Sequence, residues 1–138
     1  MTMYAGSRGL ATYGRVASTE SDPLRQIVLL YDGAIKFLNL TASDIDAGDV
    51  VAKAEHSGRA LDIIAYLQGM LDFEKGGEVA VRLDHFYRHV TSIALRGSAH
   101  QSAEMMRVAA RLMVPVREAW EKNASVSGAI TANAMGSI

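Results

Sequence analysis

Two histidines four residues apart, His85 and His89, with Asp84 beside them, come nearest in this chain to a metal-binding set. At i and i+4 they share one helix face and could grip a cation. A helix bundle that holds metal projects carboxylates inward from several helices. Here the interior positions of the other periodic segments are apolar. On a helical wheel both rings fall at the solvent edge of the Leu83–Phe86–Val90 stripe. They read as surface histidines flanking a core, and no metal site is expected.

His56 offers different chemistry. Histidine phosphotransfer bundles expose one ring mid-helix, with a basic and a small residue close by to admit a kinase. His56-Ser57-Gly58-Arg59 carries those residue types, although the glycine and arginine are not spaced as that motif expects. A phosphotransfer module using His56 is therefore the alternative reading. Arg107 and Arg111, one turn apart, could meet phosphate or acidic lipid. Glu104, Glu118 and Glu121 nearby make a mixed solvated face the simpler account. No P-loop, GxGxxG, HExxH or nucleophile–base pair is present. The chain reads as a non-enzyme, with no catalytic residue and no cofactor.

Composition sets the frame that must position these groups. The chain has 138 residues, 49% of them apolar, which suits one domain with a real core. A net charge of -1 gives no strong pull toward nucleic acid or anionic membrane. The absence of cysteine excludes disulfides and thiolate chemistry and fits a reducing cytosol. Apolar runs such as Ile27 to Tyr31 are far short of a membrane span, and no signal peptide is read at the N-terminus. Only Pro23 and Pro115 interrupt the chain, which favours long helices.

Residues 1–20 are rich in small residues and read as a loosely ordered arm. Leu10, Tyr13 and Val16, three apart, would give it a docking face. Ser21-Asp22-Pro23 is a helix start: a side-chain acceptor, then a proline whose missing N–H costs nothing there. Leu24, Ile27, Val28, Tyr31, Ala34, Ile35, Leu38, Ala42 and Ile45 follow at helical spacing until Gly48, and Asp49 caps the next helix. The second helix is expected from about Val50 to about Glu74, with Gly58 and Gly69 inside it. Gly69 would allow close packing or a bend. Gly76-Gly77 then makes the corner, and Glu78 opens a third helix that runs to Gly97 with Val79, Leu83, Phe86, Tyr87, Val90, Ile93 and Ala94 inward.

Ser102 caps a fourth helix carrying Met105, Met106, Ala109, Leu112, Met113, Val116, Ala119 and Trp120, which Pro115 should kink near Arg111. Residues 123–138 are small, uncharged and aperiodic, and read as a disordered tail. Short connections between helices of about twenty residues predict an all-α, antiparallel up-down four-helix bundle over residues 21–122.

One stripe per helix, about 100° wide, is all a bundle needs. Tyr66, Met70, Phe73, Phe86 and Tyr87 broaden the stripes of the second and third helices beyond that. Such an excess marks a groove for an amphipathic partner helix, unless the N-terminal arm covers it.

Met3-Tyr4, Gly9-Leu10-Ala11-Thr12-Tyr13, Leu30-Tyr31-Asp32-Gly33-Ala34 with Lys36-Phe37-Leu38, Gly48-Asp49-Val50-Val51-Ala52-Lys53, Leu71-Asp72-Phe73-Glu74-Lys75-Gly76-Gly77-Glu78 and Glu118-Ala119-Trp120 follow one another along the chain. In this order, over residues 3 to about 122, they resemble the flagellar secretion chaperone family FliS. The chain departs from the family pattern at Tyr87-Arg88-His89, Thr91-Ser92-Ile93 and Gly97 to Gln101, and at Pro115.

The resemblance implies a cytoplasmic export chaperone. It would bind the C-terminal region of flagellin, block premature polymerisation and deliver the subunit to the export gate protein FlhA. By position, Leu10 and Tyr13 match the segment that docks to the gate and caps the empty site. From the helical stripes, Ile64, Leu67, Leu71, Leu83, Phe86 and Tyr87 are the expected flagellin-binding groove. Nucleic acid and membrane insertion are not expected among the partners, and a homodimer is left open.

Overall fold

Asp22 begins the first helix as its side chain requires: Oδ1 accepts from the amides of Leu24 (3.0 Å) and Arg25 (3.3 Å). A computed structural model describes residues 22–123, all but a few of them helical. The arm, with Leu10 and Tyr13, and the tail lie outside the described residues. Helix α1 spans Pro23–Ala47 and stops where Gly48 turns left-handed (φ 71°). Asp49 caps α2, Val50–Gly69, through the Ala52 amide (3.1 Å). Helix α3 is Phe73–Ala99 and α4 is Ala103–Asn123, with Ser102 Oγ accepting from the Met105 amide at 3.1 Å. The result is the four-helix, all-α architecture read from the sequence.

The corner between α2 and α3 differs from expectation. Helix α2 ends at Gly69 rather than near Glu74, because Asp72 takes extended backbone (φ -112°) and caps a new turn. Its Oδ1 accepts from both Glu74 and Lys75 amides at 3.0 Å. A carboxylate that satisfies two free N–H groups outcompetes continuation of the preceding helix. Gly77 (φ 51°, ψ -127°) then breaks the helix before it runs on to Ala99, in a region open essentially to glycine alone. Gly69 has open space where a Cβ would sit, so it does not serve close packing. The tight approach is at Gly97, where a Cβ would lie 3.0 Å from Met105 Cβ.

Helix α4 continues through Pro115 to Asn123. Pro115 and Arg111 both lie on the exposed side, so the Arg111 carbonyl that loses its helical donor can be met by water.

Helix α1 packs against both α2 and α4, and α3 packs mainly against α4, with a thinner junction to α2. Ile27, Tyr31, Leu38, Ile64, Leu67, Tyr87, Val90, Met106 and Met113 are fully sealed in the centre. Burial of each large apolar side chain contributes roughly 1.5–3 kcal/mol. Two tyrosine hydroxyls meet inside this core, Tyr31 Oη and Tyr87 Oη, at 2.8 Å. Burial pushes the Tyr31 phenol up to about 12, offset in part by its hydrogen bonds, and raises Tyr87 well above its usual range. Both stay neutral hydrogen-bonding groups. Thr41 Oγ1 donates to the Phe37 carbonyl at 2.7 Å, so this buried hydroxyl is also satisfied.

Candidate binding surface

Most of the residues that could do chemistry are tied into the scaffold. His56 Nδ1 meets Asp44 Oδ2 at 2.6 Å, and its ring stacks on Phe37 with centroids 5.9 Å apart. The Arg59 guanidinium lies 5.7 Å from the same Phe37 ring. His56 therefore clamps α2 to α1. His85 and His89 are exposed, and no cluster of three or more metal-type side chains occurs among the described residues. Arg107 pairs with Asp46 (2.5 Å) and Arg111 with Glu104 (2.8 Å), the mixed face expected from their neighbours.

The six groove residues divide in two. Ile64, Leu67 and Tyr87 lie in the sealed core, where a docking partner cannot touch them. Leu71, Leu83 and Phe86 are half-buried and pack against that core from its edge. The stripe identifies which positions point inward. It does not say which of those the neighbouring helices close over, and these three are closed over. Val79, expected inward, is 48% exposed just after the Gly77 break.

Apolar exposure is unevenly spread. Among the described residues the exposed large apolar side chains are Val50, Val51 and Tyr66 on α2, Phe73, Val79, Val81 and Leu95 on α3, and Val114 on α4. None is on α1. A soluble surface normally scatters such residues singly. Here they gather on the two helices whose mutual packing is thinnest.

Polar links hold that α2–α3 seam together at two levels. Near the Ser102 end, Lys53 Nζ donates to the Ser98 carbonyl at 2.9 Å. Toward the Gly77 end, Gln68 Nε2 donates to Asp84 Oδ1 at 2.7 Å, while Arg88 Nε meets Asp84 Oδ2 at 2.9 Å. The Gln68 hydrogen bond, followed by that of Arg88, holds the Asp84 carboxyl below its usual range. Beside this triad opens a surface recess of about 420 Å³ lined by Gln68, Arg88, Thr91, Ser92, Leu95 and Arg96. The stripe reading missed it, because these residues follow no apolar period. Gln68 and Asp84 as facing polar residues on neighbouring helices were the available signal.

No described helix is long and apolar enough to cross a membrane. The exposed large apolar residues thus fall mainly on the most thinly packed pair of helices, with no assembled catalytic group among the described residues.

Comparison with known proteins agrees with the resemblance seen in the segments. The family model described as flagellar protein FliS matches residues 7–127. The flagellar secretion chaperone FliS of Salmonella typhimurium is 33% identical over 125 residues, covering 87% of this chain and 92% of the relative. The FliS chaperone of Vibrio cholerae is 26% identical over 102 residues, 74% of this chain and 75% of its own. Flagellar secretion chaperone FliSB of Pseudomonas aeruginosa is 25% identical over 103 residues, 75% of this chain and 82% of its own.

Proposed function

The chain belongs to the FliS family of flagellar proteins, and from that premise we propose that it is a cytoplasmic export chaperone for flagellin. Its client is the C-terminal segment of the subunit, which folds as helices against the α2–α3 side and part of α4. Holding that segment prevents premature polymerisation, and the complex is then delivered to the export gate protein FlhA. Leu10 and Tyr13 of the N-terminal arm cover the empty surface and meet the gate when the client displaces them.

One observation carries this reading: the exposed large apolar side chains lie on α2, α3 and α4, and α1 has none among the described residues. A surface of that kind suits coupled folding and binding, in which ordering the client costs several kcal/mol and a long apolar contact offsets it. Of the expected groove residues, the half-buried Leu71, Leu83 and Phe86, packed against the edge of the core, support this reading.

Calorimetric titration with the C-terminal segment of the same organism's flagellin tests the proposal. Tight binding with a negative heat-capacity change is the expected result. Absence of heat at several temperatures, with folded protein, would contradict it.

A further inference from the structure

The outer side of α3 has a charge pattern that the apolar contact does not use. From Val79 to Ala99 it carries Arg82, Arg88 and Arg96 against a single carboxylate, Asp84. Asp84 is already committed to Gln68 and Arg88. Arg82 and Arg96 meet no carboxylate among the described residues, and Arg96 Nε reaches only the Ser92 carbonyl at 3.4 Å. Arg88 and Arg96 flank the recess at the seam, and Leu95, 52% exposed, stands beside them. Eight residues apart on one helix, the two arginines are separated by about 12 Å along the axis. The Gln68–Asp84–Arg88 chain fixes one guanidinium in advance, so little side-chain freedom is lost there on binding.

We propose that this recess seats an acidic amphipathic helix of the client, with two carboxylates seven or eight residues apart pairing with Arg88 and Arg96 and an apolar side chain one turn from the carboxylate at Arg96 resting on Leu95. Carboxylates two helical turns apart match the spacing of the two arginines. Charge complementarity selects an acidic segment over a neutral or basic one and sets its register, while apolar contact supplies most of the affinity. The inference rests on the chaperone reading above for the identity of the client.

The test is a titration of the flagellin C-terminal segment into the full chain and into the double variant Arg88→Gln/Arg96→Gln, at low and at high salt. Both arginines are exposed, so the variant keeps its helical circular dichroism. It is expected to bind about five- to tenfold more weakly at low salt, the scale of two partly screened ion pairs, and salt is expected to weaken the parent more than the variant. A variant that binds like the parent overturns the seam assignment and leaves the chaperone reading standing.

Should the parent itself fail to bind flagellin, the chaperone reading falls. A synthetic helical peptide with glutamates seven apart and a leucine one turn from one of them then decides the seam. Amide shifts at Thr91 and Leu95 with this peptide, absent with its glutamine counterpart, sustain the proposal. No shift with either peptide overturns it.

Discussion

Helices α1 and α3 are nearly the same length, yet they do opposite work. In α1, eleven of 25 residues are buried; in α3, six of 27. α1 is packed on two sides, and ion pairs link it to α4: Asp32 with Arg117 at 2.8 Å and Asp46 with Arg107 at 2.5 Å. α3 leaves Phe73, Val79, Val81 and Leu95 exposed, and it faces α2 across a thin seam. On the proposed reading, this difference would let a small bundle separate folding from recognition. One side is sealed and holds the fold, so the other can leave apolar surface open without losing the core.

The strongest way to break this division is truncation on each side. Leu38→Ala, at a sealed α1 position, should cost about 2–5 kcal/mol in urea unfolding. Leu95→Ala should change stability by less than about 0.5 kcal/mol while weakening client binding. Equal stability losses at the two sites would dissolve the distinction.

A middle-sized effect sits where the two halves meet, at the Tyr31–Tyr87 hydrogen bond between α1 and α3. Tyr31→Phe leaves the buried Tyr87 hydroxyl without its partner, at about 1–3 kcal/mol, and Tyr87→Phe should cost less, since Tyr31 keeps its hydrogen bond with Trp120. The double variant should cost less than the sum of the two singles, which thermal or denaturant unfolding of all four proteins will measure. Strict additivity would mean the pair does not couple the two halves.

The smallest effect sharpens the account of α2. Gly58 lies within the helix, is exposed and has open space at its missing Cβ. Gly58→Ala should therefore stabilise the fold by about 0.5–1 kcal/mol. Destabilisation would show that α2 needs local freedom that its helical geometry does not reveal.

Much of α1 was legible in advance, because its ends are set by local chemistry: the Asp22 cap with Pro23, then Gly48 and Asp49. The α2–α3 corner was half legible. Gly77 was expected to break the helix and does, but the capping strength of Asp72 was missed, and with it the early end of α2 at Gly69. At Pro115 the helix runs on, since a solvent-facing carbonyl tolerates the loss of a helical donor. At the proposed binding surface, period alone placed Ile64, Leu67 and Tyr87 on the inward stripe but could not tell a sealed position from an open one. That depends on which helix lies above, and Tyr87 is closed over by contact with Tyr31 and Phe86. The recess at Arg88 and Arg96 is a product of two helices meeting, which neither helix announces by itself.

The central claim is that recognition belongs to the α2–α3 side and stability to α1. Amide hydrogen exchange, followed with and without the flagellin C-terminal segment, tests it most directly. The account predicts added protection within residues 50–69 and 79–99 on binding, with α1 already slow and little changed. Protection confined to α1 and α4, or no change anywhere with the segment bound, would contradict it.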